Sequence, residues 1–156
     1  MEPAKKTYFY ASKRKVLNQT LHRIIFSMTK SKGKIIIEQG ASVWPHEMQT
    51  AEALASYGYT VRFIRKSEDD HRRTADAFVD DMLFEMKAPT GSHLSVVGKN
   101  IKKAMSQSYR IVFDSKRMKN VRDFQILNEL KKQISLNRKI KSLLFVDKKR
   151  AVEVLK

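Results

Sequence analysis

The stretch Ala75-Asp76-Ala77-Phe78-Val79-Asp80-Asp81-Met82-Leu83-Phe84-Glu85-Met86-Lys87-Ala88-Pro89 decides how this chain folds. Its apolar residues recur with period two. That predicts two strands, 76–79 and 82–87, joined at Asp80-Asp81 and closed by the loop Ala88-Pro89-Thr90-Gly91. Alternation puts Leu83, Glu85 and Lys87 on one face of the second strand and Met82, Phe84 and Met86 on the other, core-facing side. A two-residue turn pairs Val79 with Met82 and sets Asp76 directly opposite Glu85, with Cβ atoms about 5 Å apart. Carboxylates that close repel unless a proton or a cation lies between them, so the register predicts a metal or a raised pKa. Lys87 lies about 7 Å along the strand and reaches the same small volume. Asp-Asp is not the favoured chemistry for a tight hairpin, and a longer loop would shift this register.

Phosphodiester cleavage needs such a set. Carboxylate oxygens hold Mg²⁺ or Mn²⁺, the cation polarises the phosphoryl group and acidifies a bound water, and a neighbouring lysine activates that water or neutralises the developing charge. The same residues also fit a plain acidic pair with Lys87 as a surface salt bridge, and the motif alone does not choose between them.

Working outward, residues 44–57 read as a helix. Ser42 offers a cap, Pro45 suits the first turn, Met48, Ala51, Leu54 and Ala55 form an apolar stripe, and Gly58 ends it. Glu47 and Glu52 lie about 140° apart round this helix, so both cannot face the hairpin; Glu47 flanks the apolar stripe and Glu52 points more toward solvent. Trp44 is expected in the core or packed at the helix start. Strands are expected at 35–37, 59–64, 110–114, 142–146 and 151–155. Further helices are expected at 98–108 and at 123–136, the latter buried through Phe124, Leu127, Leu130 and Ile134. Residues 16–28 carry helical spacing with basic residues between. The fold class is α/β.

Composition narrows the function. The 156 residues contain no cysteine, which removes disulfide scaffolds, thiolate metal sites and cysteine nucleophiles. No apolar run approaches the ~20 residues of a membrane span. The net charge of +16 predicts a polyanionic partner. It divides unevenly: +8 over residues 1–34, −4 over 35–98 and +12 over 99–156. Ten carboxylates in the middle segment work against phosphate binding unless some of them hold a cation that inverts the local field. Glu68, Asp69 and Asp70 read as a solvated loop. Lys99, Lys102 and Lys103 would line one edge of a cleft, Lys116, Arg117, Lys119 and Arg122 another, and Arg72 and Arg73 beside His71 are either a further phosphate contact or plain loop residues.

The order of these pieces resembles the PD-(D/E)XK nuclease superfamily, whose core runs αβββαβ. Ala75-Asp76-Ala77-Phe78-Val79 matches its first motif, with alanine in place of proline, and Phe84-Glu85-Met86-Lys87-Ala88-Pro89 matches the second. His46-Glu47-Met48-Gln49-Thr50-Ala51 through Gly58-Tyr59 matches its early helix, and Ile101 to Gln107 the later one. More narrowly, the run from Glu47 to Asp114 is similar to the C-terminal tRNA nuclease domain of contact-dependent growth inhibition (CdiA-type) toxins, through Ala88-Pro89-Thr90-Gly91, Lys102-Lys103-Ala104 and Ile111-Val112-Phe113-Asp114. The resemblance implies a PD-(D/E)XK core over residues 41–156, the nuclease domain, preceded by a basic extension at 1–40. It implies Glu47, Asp76 and Glu85 as ligands of a divalent cation, Mg²⁺ or Mn²⁺ with Zn²⁺ as a further choice. Lys87 would join those three as the fourth catalytic residue, with Gln107 accessory. It further implies tRNA as substrate, an acidic cognate immunity protein as partner, and a secreted parent protein that delivers the domain into a target-cell cytoplasm. A DNA endonuclease of the restriction or junction-resolving kind is the alternative on the same fold, and a non-enzymatic basic RNA-binding protein is argued against by the acidic middle.

Overall fold

The computed structural model describes residues 31–65 and 75–156. The 16–28 helix, His71, Arg72 and Arg73 lie outside the described residues. Strand β1 (Ile35–Ile37) leads to helix α1 (Pro45–Tyr57) and back to β2 (Val61–Phe63). Then follow β3 (Ala77–Val79), β4 (Met82–Lys87), α2 (Ser95–Met105), β5 (Arg110–Asp114), α3 (Asp123–Leu136), β6 (Ser142–Val146) and β7 (Val152–Val154). The seven strands form one mixed sheet in the order β1-β2-β3-β4-β5-β6-β7, a mixed α/β fold. Pairs β1–β2, β4–β5 and β5–β6 are parallel, each bridged by a helix, and the remaining neighbours are antiparallel. Parallel neighbours need such a crossover because a tight turn cannot return the chain to the same end. Residues 32–156 form one unit that includes β1, although β1 falls in the stretch expected as an extension.

The expected hairpin register holds: Val79 pairs with Met82, Phe78 with Leu83 and Ala77 with Phe84. Asp80 and Asp81 take φ of 43° and 65°, the two consecutive left-handed residues that a type I′ turn demands. Aspartate tolerates that region better than most residues because its short side chain bonds locally. Here Asp80 Oδ1 accepts the Thr60 N–H at 2.8 Å, and the Asp80 N–H donates to the Thr60 carbonyl at 2.9 Å, tying the turn to the approach of β2.

Apolar residues divide between two faces. Ala51 and Leu54 of α1 pack on Val61, Phe63, Ala77, Val79, Phe84, Met86, Val112 and Leu144. On the other face, Val97, Ile101 and Ala104 of α2 and Ile126 and Leu130 of α3 pack on Ile111, Phe113, Leu143 and Phe145. Helix α1 is capped by Glu47, whose carboxylate accepts the Trp44 N–H at 2.9 Å, rather than by Ser42; Gly58 closes it at φ 107°, where a side chain would be strained. Trp44 is 64% exposed and Met82 45% exposed, against their expected packing.

Helix α2 starts three residues earlier than expected and ends before Gln107. Gly98 thus sits inside it, where an added Cβ would lie 3.0 Å from Gln133 of α3, so the glycine serves close helix packing instead of marking a start. In α3 the buried residues are Ile126 and Leu130, while Phe124, expected on the apolar face, is 57% exposed.

Candidate active site

The register carries Asp76 opposite Glu85 one step beyond the last paired residues of the hairpin, and the Asp76 N–H donates to the Phe84 carbonyl at 3.1 Å. Because Glu85 pairs with Ile111 and Lys87 with Phe113, their side chains share the sheet face covered further on by α2 and α3. Phe84 and Met86 take the α1 face. The strand period therefore sends two polar groups to one side and two apolar groups to the other, as the alternation predicts.

Glu85 is 1% exposed. Its Oε1 accepts from the Lys87 ammonium and from Gln107 Nε2 at 2.8 Å. Its Oε2 is buried with no hydrogen-bond donor. The Asp76 carboxylate accepts the Met86 N–H at 2.9 Å, which pins it against β4. Burial pushes Glu85 up from its ordinary 4.5 to about 7; the Lys87 hydrogen bond pulls the other way, and the charge of Asp76 adds to the rise. A buried carboxylate oxygen without a donor, beside a second carboxylate, is a position that either a proton or a cation would complete.

Gln107 owes its place to the early end of α2. The chain turns at Ser106, Ser108 Oγ donates to the Leu83 carbonyl at 3.1 Å, and the amide between them reaches Glu85. Asp76, Glu85, Lys87 and Gln107 are thus brought together.

Glu47 does not join them. It lies on α1, which packs on the opposite face, and its carboxylate is engaged by the Trp44 N–H. The expected three-carboxylate set is corrected accordingly: among the described residues no group of three or more His, Cys, Asp and Glu side chains gathers as a metal site. Two hard oxygen donors with an unserved lone pair still fit Mg²⁺ or Mn²⁺, which retain waters and commonly use one or two protein carboxylates.

Lys99, Lys102 and Lys103 are exposed on α2, and Lys116, Arg117, Lys119 and Arg122 are exposed on the segment after β5. Arg117 Nη1 donates to the Ala88 carbonyl at 3.2 Å, next to Lys87.

Two features were not read from the sequence. Arg62 of β2 lies with its guanidinium 4.4 Å from the Phe78 ring centre and pairs with Glu38 at 2.5 Å. Register puts Arg62 and Phe78 opposite each other on the sheet face that carries Asp76. Asp114, 1% exposed, accepts from Thr50 Oγ1 at 2.6 Å, from the Lys116 N–H at 2.8 Å and from Arg150 Nη1 at 2.8 Å. An acidic residue ending the apolar run Ile111-Val112-Phe113 was the available signal for the second. The first needed the β2–β3 register, which the intervening loop conceals.

Among the described residues no helix is long and apolar enough to cross a membrane. No curated protein matches the chain. A solved structure, the CdiA-CT/CdiI toxin and immunity complex from Burkholderia pseudomallei, contains a chain of similar fold: TM-score 0.60 and 18% identity, over 80% of this chain and 99% of that one. The family model for the contact-dependent growth inhibition CdiA C-terminal domain matches residues 72–152, more than half of the sequence and the whole of the hairpin. The chain belongs to the CdiA C-terminal toxin domains of contact-dependent growth inhibition.

Proposed function

We propose that this toxin domain is a metal-dependent endoribonuclease that cleaves phosphodiester bonds of tRNA, on a core of the PD-(D/E)XK kind. One observation carries the reading: a buried carboxylate, Glu85, with one oxygen fixed by Lys87 and Gln107 and the other unserved beside Asp76. Asp76 and Glu85 would hold Mg²⁺ or Mn²⁺, with Zn²⁺ as a further choice. When bound, the cation supplies Lewis acidity toward the phosphate and acidifies a water.

The chain's own groups do the rest. Gln107 and Lys87 orient Glu85 by holding one oxygen, so the carboxylate cannot rotate away. The Lys87 side chain, 19% exposed, is close enough to the surface for its ammonium to meet a phosphate oxygen and offset charge that builds on it. Alternatively its Nζ shuttles the proton of the attacking water. Glu47 takes no part and caps α1. The exposed cations on α2 and after β5 attract the RNA over a distance set by ionic strength.

Digestion of total tRNA with Mg²⁺, Mn²⁺ or Zn²⁺, comparing wild type with Asp76→Ala and Lys87→Ala, tests the assignment. Cleavage by wild type that drops 10²-fold or more in both variants is expected; unchanged cleavage in both would remove the site. Offering plasmid DNA and a four-way junction in the same assay separates the DNA endonuclease alternative. The solved neighbour is a toxin bound to an immunity protein. By the same reading this domain, with its +16 charge, takes an acidic immunity partner and acts in the cytoplasm of a target cell after delivery by a secreted parent protein.

A further inference from the structure

Away from the hairpin, two loops at the carboxyl ends of β5 and β6 enclose an open cleft of about 450 Å³, lined by Asn120, Val121, Arg122, Asp123, Lys148 and Lys149. The loops are clasped to each other. Asp123 Oδ1 accepts from the Ser115 hydroxyl at 2.6 Å, Asp123 Oδ2 accepts the Lys148 N–H at 3.1 Å, and the Lys148 ammonium donates to the Val121 carbonyl. This bonding consumes the one acid of the cleft and one of its cations. Arg122 and Lys149 remain, exposed and without an ion pair to any described residue.

Phe124 follows directly. It stands about 200° round α3 from the buried Ile126, so its ring faces away from the core, and helical side chains lean toward the N-terminal end, here toward the 120–122 loop. The position also relates to the candidate active site. Strands β4 and β5 are parallel, so Lys87 and Asp114 lie toward the same end of the sheet. Glu85 pairs with Ile111, four residues before Ser115, which is about 13 Å of strand. Arg117, bonded to the Ala88 carbonyl, and exposed Lys116 and Lys119 occupy the interval.

We infer that this cleft is a second nucleic-acid contact, taking a single-stranded stretch of the RNA with Arg122 and Lys149 on its phosphates and a base stacked on Phe124. Two unpaired cations supply charge complementarity to a polyanion. An exposed aromatic ring on the residue that follows Asp123 of the cleft supplies what a sequence-tolerant single-strand site requires, a face for the base. The inference rests on the ribonuclease reading for the choice of RNA, and it extends that reading from the cutting site to what holds the substrate.

The test measures binding in EDTA, so that no cleavage intervenes, to a single-stranded RNA, a blunt RNA duplex and a single-stranded DNA of the same sequence. Phe124→Ala is expected to weaken single-stranded RNA about tenfold and to leave the duplex unchanged. Arg122→Ala with Lys149→Ala lowers the slope of log affinity against log salt by about 1.4 for the single strand. All three positions are exposed, so unchanged melting accompanies both effects. In Mg²⁺, tRNA cleavage by the same variants shows a raised KM with kcat retained. Wild-type affinity and salt slope in both variants would overturn the inference, as would an equal Phe124→Ala loss on the duplex, or DNA bound as tightly as RNA with the same losses. Failure of the ribonuclease reading shows separately, as wild type that cuts no RNA in Mg²⁺ or Mn²⁺ while the single-strand binding pattern stands.

Discussion

Neighbouring strands each bury one carboxylate, and the two are treated in opposite ways. Asp114 at the end of β5 has both oxygens occupied: Thr50 serves one, and the Lys116 amide and Arg150 serve the other. Arg150 spends its second nitrogen on the Gln49 carbonyl at 2.6 Å, so the cluster fastens α1 and the β6–β7 turn to β5. Glu85 in β4 is equally buried but only half satisfied, with its second oxygen turned to another acid. A fully bonded buried charge does structural duty, whereas a half-bonded one costs stability and persists where chemistry uses it.

The largest expected effect breaks the satisfied member. Arg150→Ala leaves Asp114 buried without its counter-charge and should destabilise the fold by about 3 to 5 kcal/mol, read as a lower denaturation midpoint. A loss within 1 kcal/mol would mean that the two carboxylates do not differ as described.

Next comes the pH dependence of the unsatisfied one. Below about 4.5 Glu85 is protonated folded or unfolded and contributes nothing; between 4.5 and about 7 the unfolded chain releases its proton while the fold keeps it; above 7 the fold must ionise a buried group. Stability therefore falls as pH rises from 4.5 to 7 and stays lower above. Glu85→Gln removes that loss. In EDTA it should exceed wild type at pH 8 by up to roughly 3 kcal/mol and match it near pH 4, by denaturant titration at each pH.

Added cation sharpens the same contrast. Mn²⁺ at a hundred times its dissociation constant should stabilise wild type by about 2.7 kcal/mol, seen as a higher Tm, and should leave Glu85→Gln unmoved. Smallest is Gln107→Leu, which removes one hydrogen bond to Glu85 for about 1 kcal/mol. Its readout is a drop in tRNA cleavage larger than the change in Tm.

The contrast also explains what could be read without coordinates. The hairpin was legible because a strand's side-chain period is two and a two-residue turn leaves a single register, so Asp76, Glu85 and Lys87 followed from counting. Asp80-Asp81 overrode its weak turn propensity because Thr60 bonds the turn in place. Glu47 misled because a glutamate in the first turn of a helix serves equally as a cap, and only the placement of α1 on the far face distinguishes the roles. Phe124 read as core because its spacing to Leu127 is helical, yet the inward face is centred on Ile126 and Leu130, with Leu127 and Ile134 packed against the same cluster, and Phe124 in the first turn falls off it. Arg150 could not be paired with Asp114 from the sequence, since 36 residues and the β5–β6 crossover separate them.

One measurement bears most directly on the unsatisfied pair as the cutting centre: tRNA cleavage rate and Mn²⁺ binding followed across the same Mn²⁺ titration for wild type and Glu85→Gln. The two curves should share one midpoint in wild type, and both should vanish in the folded variant. Cleavage that persists in EDTA, or in Glu85→Gln at the wild-type rate, would contradict it.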